Sequence, residues 1–483
     1  MLFNSIEFAL FLPIAFLLYW LVFDRNLRLQ NFFLLVIGYI FYGWWDWRFL
    51  GLIFFSSTLD YTVGLALSKQ ENPVRRKLLF LASIVVNIGF LGFFKYYNFF
   101  VDSFVNAFTF FGQPIQGSTL RVILPVGISF YTFQSLAYTI SVYKKQIEPA
   151  TDPISFFAYV SFFPQLVAGP IEKPKNLLPQ FYKKRALEYY EAVDAIRQML
   201  WGFFGKIVIA DNCSIYANDI FNNYQEKSGS TLLLGALFFT FQIYGDFSGY
   251  SNIALGTARL FGFTLMRNFA FPYFSRDIAE FWRRWHISLS SWFRNYVYIP
   301  LGGSEGGTWM KIRNIFIIFL LSGFWHGANW VFIIWGLINA IYFLPLMLLK
   351  QNKQNTNVVA EGKLFPSIKE AFQMVFTFFL VVVAWVFFRA PNVYQAFDYL
   401  KKMFSSTLLT KPEITDTNMI LTMISIIIFV FIEWLQREKQ HALQLDRSLI
   451  RYRAVRWAGY FCIALFIFVF GNFSKTEFIY FAF

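Results

Sequence analysis

Charge is scarce in this chain: Asp, Glu, Lys and Arg make up 14% of 483 residues. With 57% of the residues apolar, a water-soluble fold of this length is excluded, because too little polar surface exists to cover it. Cysteine is nearly absent. Cys213 and Cys462 lie far apart and match no metal or redox spacing, so neither a disulfide framework nor a metal centre is expected, and both read as small apolar fillers. There is no Walker-type loop, no Gly-x-Gly-x-x-Gly after a strand, no His-Glu-x-x-His and no Gly-x-Ser-x-Gly. An activated group would therefore have to arrive on a soluble carrier. Histidine is equally rare, at three.

What is abundant is apolar sequence in runs long enough to cross a hydrocarbon core of roughly 30 Å as helices. The runs fall at 8–23, 31–47, 50–67, 78–97, 121–141, 190–217, 231–252, 314–328, 330–349, 370–389, 418–436 and 457–473. The expected fold class is an all-α polytopic membrane protein with about twelve crossings, within a range of roughly 11–13. The first run lacks a basic leader and a small-residue cleavage site and is expected to be a retained helix. The net charge of +14 reflects basic loops between spans rather than a nucleic-acid surface, so no nucleic-acid partner is expected.

Arg25 and Arg28, then Lys69, Arg75, Arg76 and Lys77, then Lys144 and Lys145 follow alternate runs. Placing these loops in the cytoplasm puts both termini outside. Residues 98–118 then lie outside as an interfacial helix, and loops 350–366 and 437–456 lie inside. Lys401, Lys402 and Lys411 in the outside loop 390–417 run against the rule. The segment 154–170 has basic residues on both sides and contains Pro164, Gly169 and Pro170; a re-entrant segment buried in protein is expected, since irregular backbone cannot face lipid. The block 259–313 is too charged to cross and is expected on, or dipping in from, the cytoplasmic face.

Two histidines lie in or beside these runs. Counting thirteen residues from Arg313 at about 1.5 Å each places His326 about 20 Å into the membrane. A buried neutral imidazole there is either a general base or a packing residue with satisfied nitrogens. His286 follows Arg283 and Arg284 among Trp282, Trp285 and Trp292, on an expected amphipathic helix. Its arginines either hold the phosphates of an anionic donor or snorkel at an interface. Asp246 puts a carboxylate in an apolar helix, to orient a histidine or to lock helices through an ion pair. Glu172, at the end of the re-entrant segment, is expected to be structural or gating.

Four ordered strings carry a resemblance: Asp246-Phe-Ser-Gly-Tyr-Ser251, Phe281-Trp-Arg-Arg-Trp-His286-Ile-Ser-Leu-Ser290, Tyr296-Val-Tyr-Ile-Pro-Leu-Gly-Gly303 and Phe324-Trp-His326-Gly-Ala-Asn-Trp330. Leu124-Pro-Val-Gly-Ile-Ser-Phe-Tyr-Thr-Phe133 and Phe163-Pro-Gln-Leu-Val-Ala-Gly-Pro-Ile171 support them. The chain resembles the membrane-bound O-acyltransferase (MBOAT) family from residue 1 to the closing Phe478-Ile-Tyr-Phe-Ala-Phe483. Within it, the likeness is to the branch that O-acetylates alginate and other bacterial envelope polymers, with the teichoic acid D-alanyl transferase a close cousin. The resemblance implies one membrane domain over 1–483: N-terminal helices to 145, a core over 146–350 holding both histidine motifs, and C-terminal helices from 351. It implies a ring of tilted helices around a central tunnel, in the inner membrane of a bacterium.

It further implies that His326 is the catalytic histidine and His286 its second. The donor would be a cytoplasmic thioester, acetyl-CoA in this branch, with no cofactor bound. The partner would be a separate extracytoplasmic SGNH-type acetyltransferase that hands acetate to a polysaccharide. In the mechanism that follows, Arg283, Arg284 and Arg294 meet the donor phosphates, His326 deprotonates an acceptor hydroxyl, and Asn329 is a candidate oxyanion donor. D-alanyl transfer, a proton-coupled transporter or flippase using Asp246 and the histidines, and a scaffold with dispensable histidines are the competing readings.

Overall fold

The structure, a computed structural model, describes residues 1–110, 120, 123–167, 169–444, 452–473 and 478–479. Residues 111–118 of the 98–118 loop, the start of the 121–141 run, residues 445–451 of the 437–456 loop and the last four residues lie outside that set. The described residues form helices joined by loops, with no strand among them. Several of the helices begin where the sequence supplies a side-chain cap. Asn26, Asn72, Asp152, Ser228, Ser367 and Asp416 all accept backbone N–H bonds at helix starts.

Among the described residues, seven helices are long and apolar enough to cross a membrane: Trp47–Lys69, Pro73–Thr109, Gly229–Leu260, Trp330–Leu348, Ile368–Arg389, Thr417–Leu435 and Arg453–Phe470. Ile6–Val22 and Leu27–Gly43 are shorter apolar helices. The three remaining expected runs fall outside both groups. Ile128–Tyr143 has 16 residues and is buried along almost its whole length. The 190–217 run breaks into Tyr189–Phe203, a π-helical stretch Phe204–Ala210 and Asp211–Asn222. Thr308–His326 carries Lys311 and Arg313 in its opening turns. These segments sit against protein, so they need not be uniformly apolar.

One further expectation shifts, and the burial expected of 154–170 is found. The interfacial helix expected after residue 97 is, as far as it is described, the continuation of Pro73–Thr109, a single run of 37 residues and thus about 56 Å long. The 154–170 segment is two short buried helices, Pro153–Val160 and Phe163–Leu166. Ser161 lies between them against Gly38 of Leu27–Gly43, where an added Cβ would meet the Ser161 carbonyl. Its irregular backbone is thus enclosed by protein.

The longest uninterrupted α-helix, Gly229–Leu260, is buried on most of its faces and forms the centre. Gly245 and Gly249, four residues apart, let it close on Tyr189–Phe203 and the π-helical stretch. A Cβ on Gly249 would lie 2.7 Å from the Gly202 carbonyl and 2.8 Å from the Lys206 amide, and one on Gly245 would lie 2.7 Å from the Gly205 carbonyl. Small residues at this spacing allow backbones to approach in membranes. The contact is locked by charge: Lys206 Nζ lies 2.8 Å from Asp211 and 2.7 Å from Asp246, and all three are buried. Asp246 therefore pairs with a lysine, and its second oxygen accepts the backbone N–H of Ile479 at 2.7 Å.

A second buried carboxylate, Asp60, is held by neutral donors. Ser83 (2.6 Å), Asn87 (3.1 Å) and Thr139 (3.1 Å) bind it where Trp47–Lys69, Pro73–Thr109 and Ile128–Tyr143 meet. Removing one partner of a buried ion pair strands the other charge, at about 3–5 kcal/mol. Lys206→Met is accordingly expected to lower the thermal unfolding midpoint of the detergent-solubilised protein sharply. Adding Asp246→Asn should restore part of the loss; an unchanged midpoint in the single mutant would remove the triad from the account.

Candidate active site

His326 is the last residue of Thr308–His326, which at about 1.5 Å per residue carries it about 27 Å from the helix start. The chain turns through Gly327 and returns as Trp330–Leu348. The two helices press together at glycines. A Cβ on Gly323 would run into the Phe332 carbonyl, and one on Gly336 into the Phe319 carbonyl. The His326 ring, 3% exposed, is boxed by Trp325 (4.9 Å between centroids), Trp335 (5.1 Å) and Phe388 (5.2 Å).

His286 is not on a surface helix. It is 1% exposed and sits at the break between Ile278–Arg284 and Ile287–Phe293, with φ 43° and ψ 54°. A non-glycine residue in the left-handed region is uncommon and persists where surroundings enforce it. Here Asn268 does so: its carbonyl accepts the Ile287 N–H at 2.9 Å, while the Ala270 N–H bonds the Arg284 carbonyl at 3.0 Å. The break turns the imidazole inward, edge-on to Phe247 at 4.6 Å and 6.0 Å from Trp325. Two histidines 40 positions apart thus flank one indole.

Beside them lies a cavity of about 660 Å³. Its apolar wall includes Trp282, Leu289, Phe293, Ile315, Ile318, Phe319 and Phe343. Arg283, Arg294, Lys311, Lys350 and Lys353 also line it, with no carboxylate among the described lining residues. Ser322 lines it one helical turn before His326, and Leu289 and Ser290 line it one turn after His286. The cavity therefore carries positive charge, and its lining comes within one helical turn of both histidines, neither of which lines it.

The other candidates are placed as follows. Arg294 is exposed at the cavity. Arg283 lines it too, but its guanidinium also donates to the carbonyls of Asn352 (2.8 Å) and Asn355 (2.7 Å), fixing the loop that carries Lys350 and Lys353. Arg284 is absent from the lining. It pairs with buried Glu280 at 2.8 Å and reaches the Ala270 and Asn357 carbonyls, so its guanidinium is committed to the fold. Asn329 is committed likewise: its oxygen caps Trp330–Leu348 through the Val331 N–H (3.1 Å), and its amide donates to the Pro391 carbonyl (3.0 Å). Asp246 pairs with Lys206, and its neighbour Phe247 meets the His286 ring. Glu172, 1% exposed, accepts the Met266 N–H and ties the re-entrant segment to the chain ahead of His286.

Sequence reasoning passed over Lys95. Its ammonium donates to the carbonyls of Trp325 (2.8 Å) and His326 (3.1 Å). The signal was available, since a lysine inside the apolar run 78–97 requires an internal partner. The third histidine, His441, bonds Asp194 at 3.1 Å beside Arg259 (2.9 Å from the same carboxylate oxygen), pinning a loop to Tyr189–Phe203.

The sequence pattern of the membrane-bound O-acyltransferase family matches residues 39–388. The chain is 39% identical over 422 residues to a protein of Pseudomonas aeruginosa named "Probable alginate O-acetylase", covering 87% of this chain and 78% of that one. It is 34% identical over 432 residues to the peptidoglycan O-acetyltransferase of Helicobacter pylori, covering 83% and 80%. A teichoic acid D-alanyltransferase of Bacillus subtilis is 28% identical over 228 residues, 45% of this chain and 57% of its own. The chain belongs to the membrane-bound O-acyltransferase family. It is a multi-pass membrane acyltransferase.

The close approach at Gly323 makes it a sensitive handle on the site. Gly323→Ala is expected to force Thr308–His326 and Trp330–Leu348 apart, lowering acyl-transfer turnover at least ~10-fold, since small misplacements of a reacting group are costly. Turnover at the wild-type level would show that the helix contact does not set the position of His326.

Proposed function

We propose that this protein moves an acetyl group from a thioester to a hydroxyl for the O-acetylation of an extracytoplasmic bacterial polysaccharide, alginate-like or peptidoglycan. The observation that carries the reading is the cavity, whose cationic side chains and apolar wall lead to within one helical turn of both histidines. A phosphate-bearing carrier with a thin acyl arm matches that shape and charge. Acetyl-CoA is the donor of this kind, and the face bearing Lys311, Lys350 and Lys353 is the cytoplasmic one, by the distribution of basic residues. The names of the alginate and peptidoglycan relatives support acetate as the group transferred and a polymer as its destination.

In the proposed step, the thioester carbonyl lies by the two imidazoles and Arg294 and Lys311 hold the donor phosphates. His326 takes the proton of an acceptor hydroxyl arriving from the opposite face. The oxygen attacks, the tetrahedral intermediate collapses, the C–S bond breaks, and the proton on His326 passes to the leaving thiolate. His286 orients the donor. With Arg284 and Asn329 engaged elsewhere, the proposed step draws on neither. The acetylated acceptor belongs to, or is served by, an extracytoplasmic acetyltransferase of the SGNH type, which delivers acetate to the glycan.

The test is release of free CoA from labelled acetyl-CoA by the purified protein in nanodiscs. His326→Ala is expected to abolish release while leaving expression and membrane insertion intact, and wild-type acetate on the polymer in that mutant would end the proposal. Arg294→Ala and Lys311→Ala should each raise KM for acetyl-CoA about 10-fold. The effect should shrink as salt rises. An unchanged KM in both would move the donor site elsewhere.

A further inference from the structure

We propose that Lys95 is the positioning residue of His326, clamping the main chain at the point where the His326 helix stops inside the membrane. The inference rests on His326 being the base assigned above.

A helix that ends leaves its last carbonyls without intrahelical partners, and the usual remedy is a left-handed residue just beyond the end. Gly327 does not provide it: its φ of −167° and ψ of 153° are extended. The partners come from another helix instead. Lys95 Nζ donates to the Trp325 and His326 carbonyls at 2.8 and 3.1 Å, and the Tyr96 hydroxyl donates to the Phe324 carbonyl at 3.0 Å. Three consecutive terminal carbonyls are thereby bound by two consecutive side chains.

Both side chains sit in Gly92–Tyr96, a π-helical turn within Pro73–Thr109. Such bulges are frequent at functional sites. The Tyr96 ring stacks on Phe324 at 4.2 Å and 17°, and the ammonium lies 5.8 Å from the centre of the Trp325 ring. A cation at a helix C-terminus also meets the negative end of the helix dipole, and it does so strongly where water is excluded. The residues held are those that matter to the site: His326 itself and Trp325, the indole between the two imidazoles. A shift of the His326 carbonyl moves its ring by a similar amount. Displacement of a reacting group by about 1 Å lowers a rate by about 100-fold.

The experiment compares Lys95→Met, Lys95→Gln and Lys95→Arg with wild type and His326→Ala in nanodiscs. It measures kcat and KM for CoA release from labelled acetyl-CoA, with each kcat scaled to monodisperse protein and its thermal midpoint recorded. Lys95→Met is expected to lower kcat by about 100-fold, with KM for acetyl-CoA within two-fold, because the donor cavity does not include Lys95. Lys95→Gln should fall between, and Lys95→Arg should return kcat to within about three-fold of wild type, since it keeps the charge and several donors. A purely structural role would lower the midpoint and the yield but leave kcat per folded molecule intact. Wild-type kcat in Lys95→Met overturns the proposal, as does wild-type kcat in Lys95→Gln should the Met variant not fold. An Arg variant no better than Met overturns it too. Full turnover by His326→Ala would instead sink the assignment of the base, an outcome read independently of the lysine series.

Discussion

Inside a bilayer no water is available to satisfy a polar group, and the rest of this structure depends on that constraint. Every departure from continuous helix has to find its partner within the chain. The His326 helix ends inside the protein, so its carbonyls draw in Lys95 and Tyr96. The chain breaks at His286, and Asn268 fills the gap. Lys206, Asp211 and Asp246 close on one another where the central helices meet. The breaks that make a site possible are thus the places where distant segments must be tied together.

The arrangement separates two kinds of work. The helices fit to face lipid lie among Trp47–Lys69, Pro73–Thr109 and the C-terminal set, and the last of these, Arg453–Phe470, buries none of its residues. The segments that hold the histidines are more charged, and both imidazoles are buried. These segments carry Arg283, Arg294 and Lys311 to the wall of one cavity. They also bring a cationic lining and an aromatic box within a helical turn of each other. A charged carrier and a buried base are both accommodated by that geometry.

Belonging to the membrane-bound O-acyltransferase family does not decide what each side chain does. Of the three arginines first assigned to the donor, Arg283 and Arg294 line the cavity and Arg284 does not. Asn329 sits three residues from His326, yet both ends of its amide are engaged, one in capping the returning helix. Asp246 belongs to one of the strings that signal the family, and its carboxylate holds a lysine and the backbone near the C-terminus, with Phe247 carrying the contact to His286. Neighbourhood in sequence was a poor guide at these positions because hydrogen-bond partners are chosen in space.

Composition, the spacing of apolar runs and the rarity of histidine determined by themselves that this is a helical membrane protein with two histidines in unusual settings. These are local properties, since hydropathy over about 20 residues and a motif over ten are read without knowing any partner. The nine runs that became long or apolar helices were legible for that reason; of the other three, one is a short buried helix, one is broken by a π-helical stretch and one carries charge in its opening turns. Only the tertiary structure decided that His286 turns inward, that Arg284 and Asn329 are already engaged, and that Lys95, 231 positions away, grips the end of the His326 helix. Those outcomes depend on which carbonyls a fold leaves unpaired and which donors it brings within 3 Å of them, and that is a property of the packed chain.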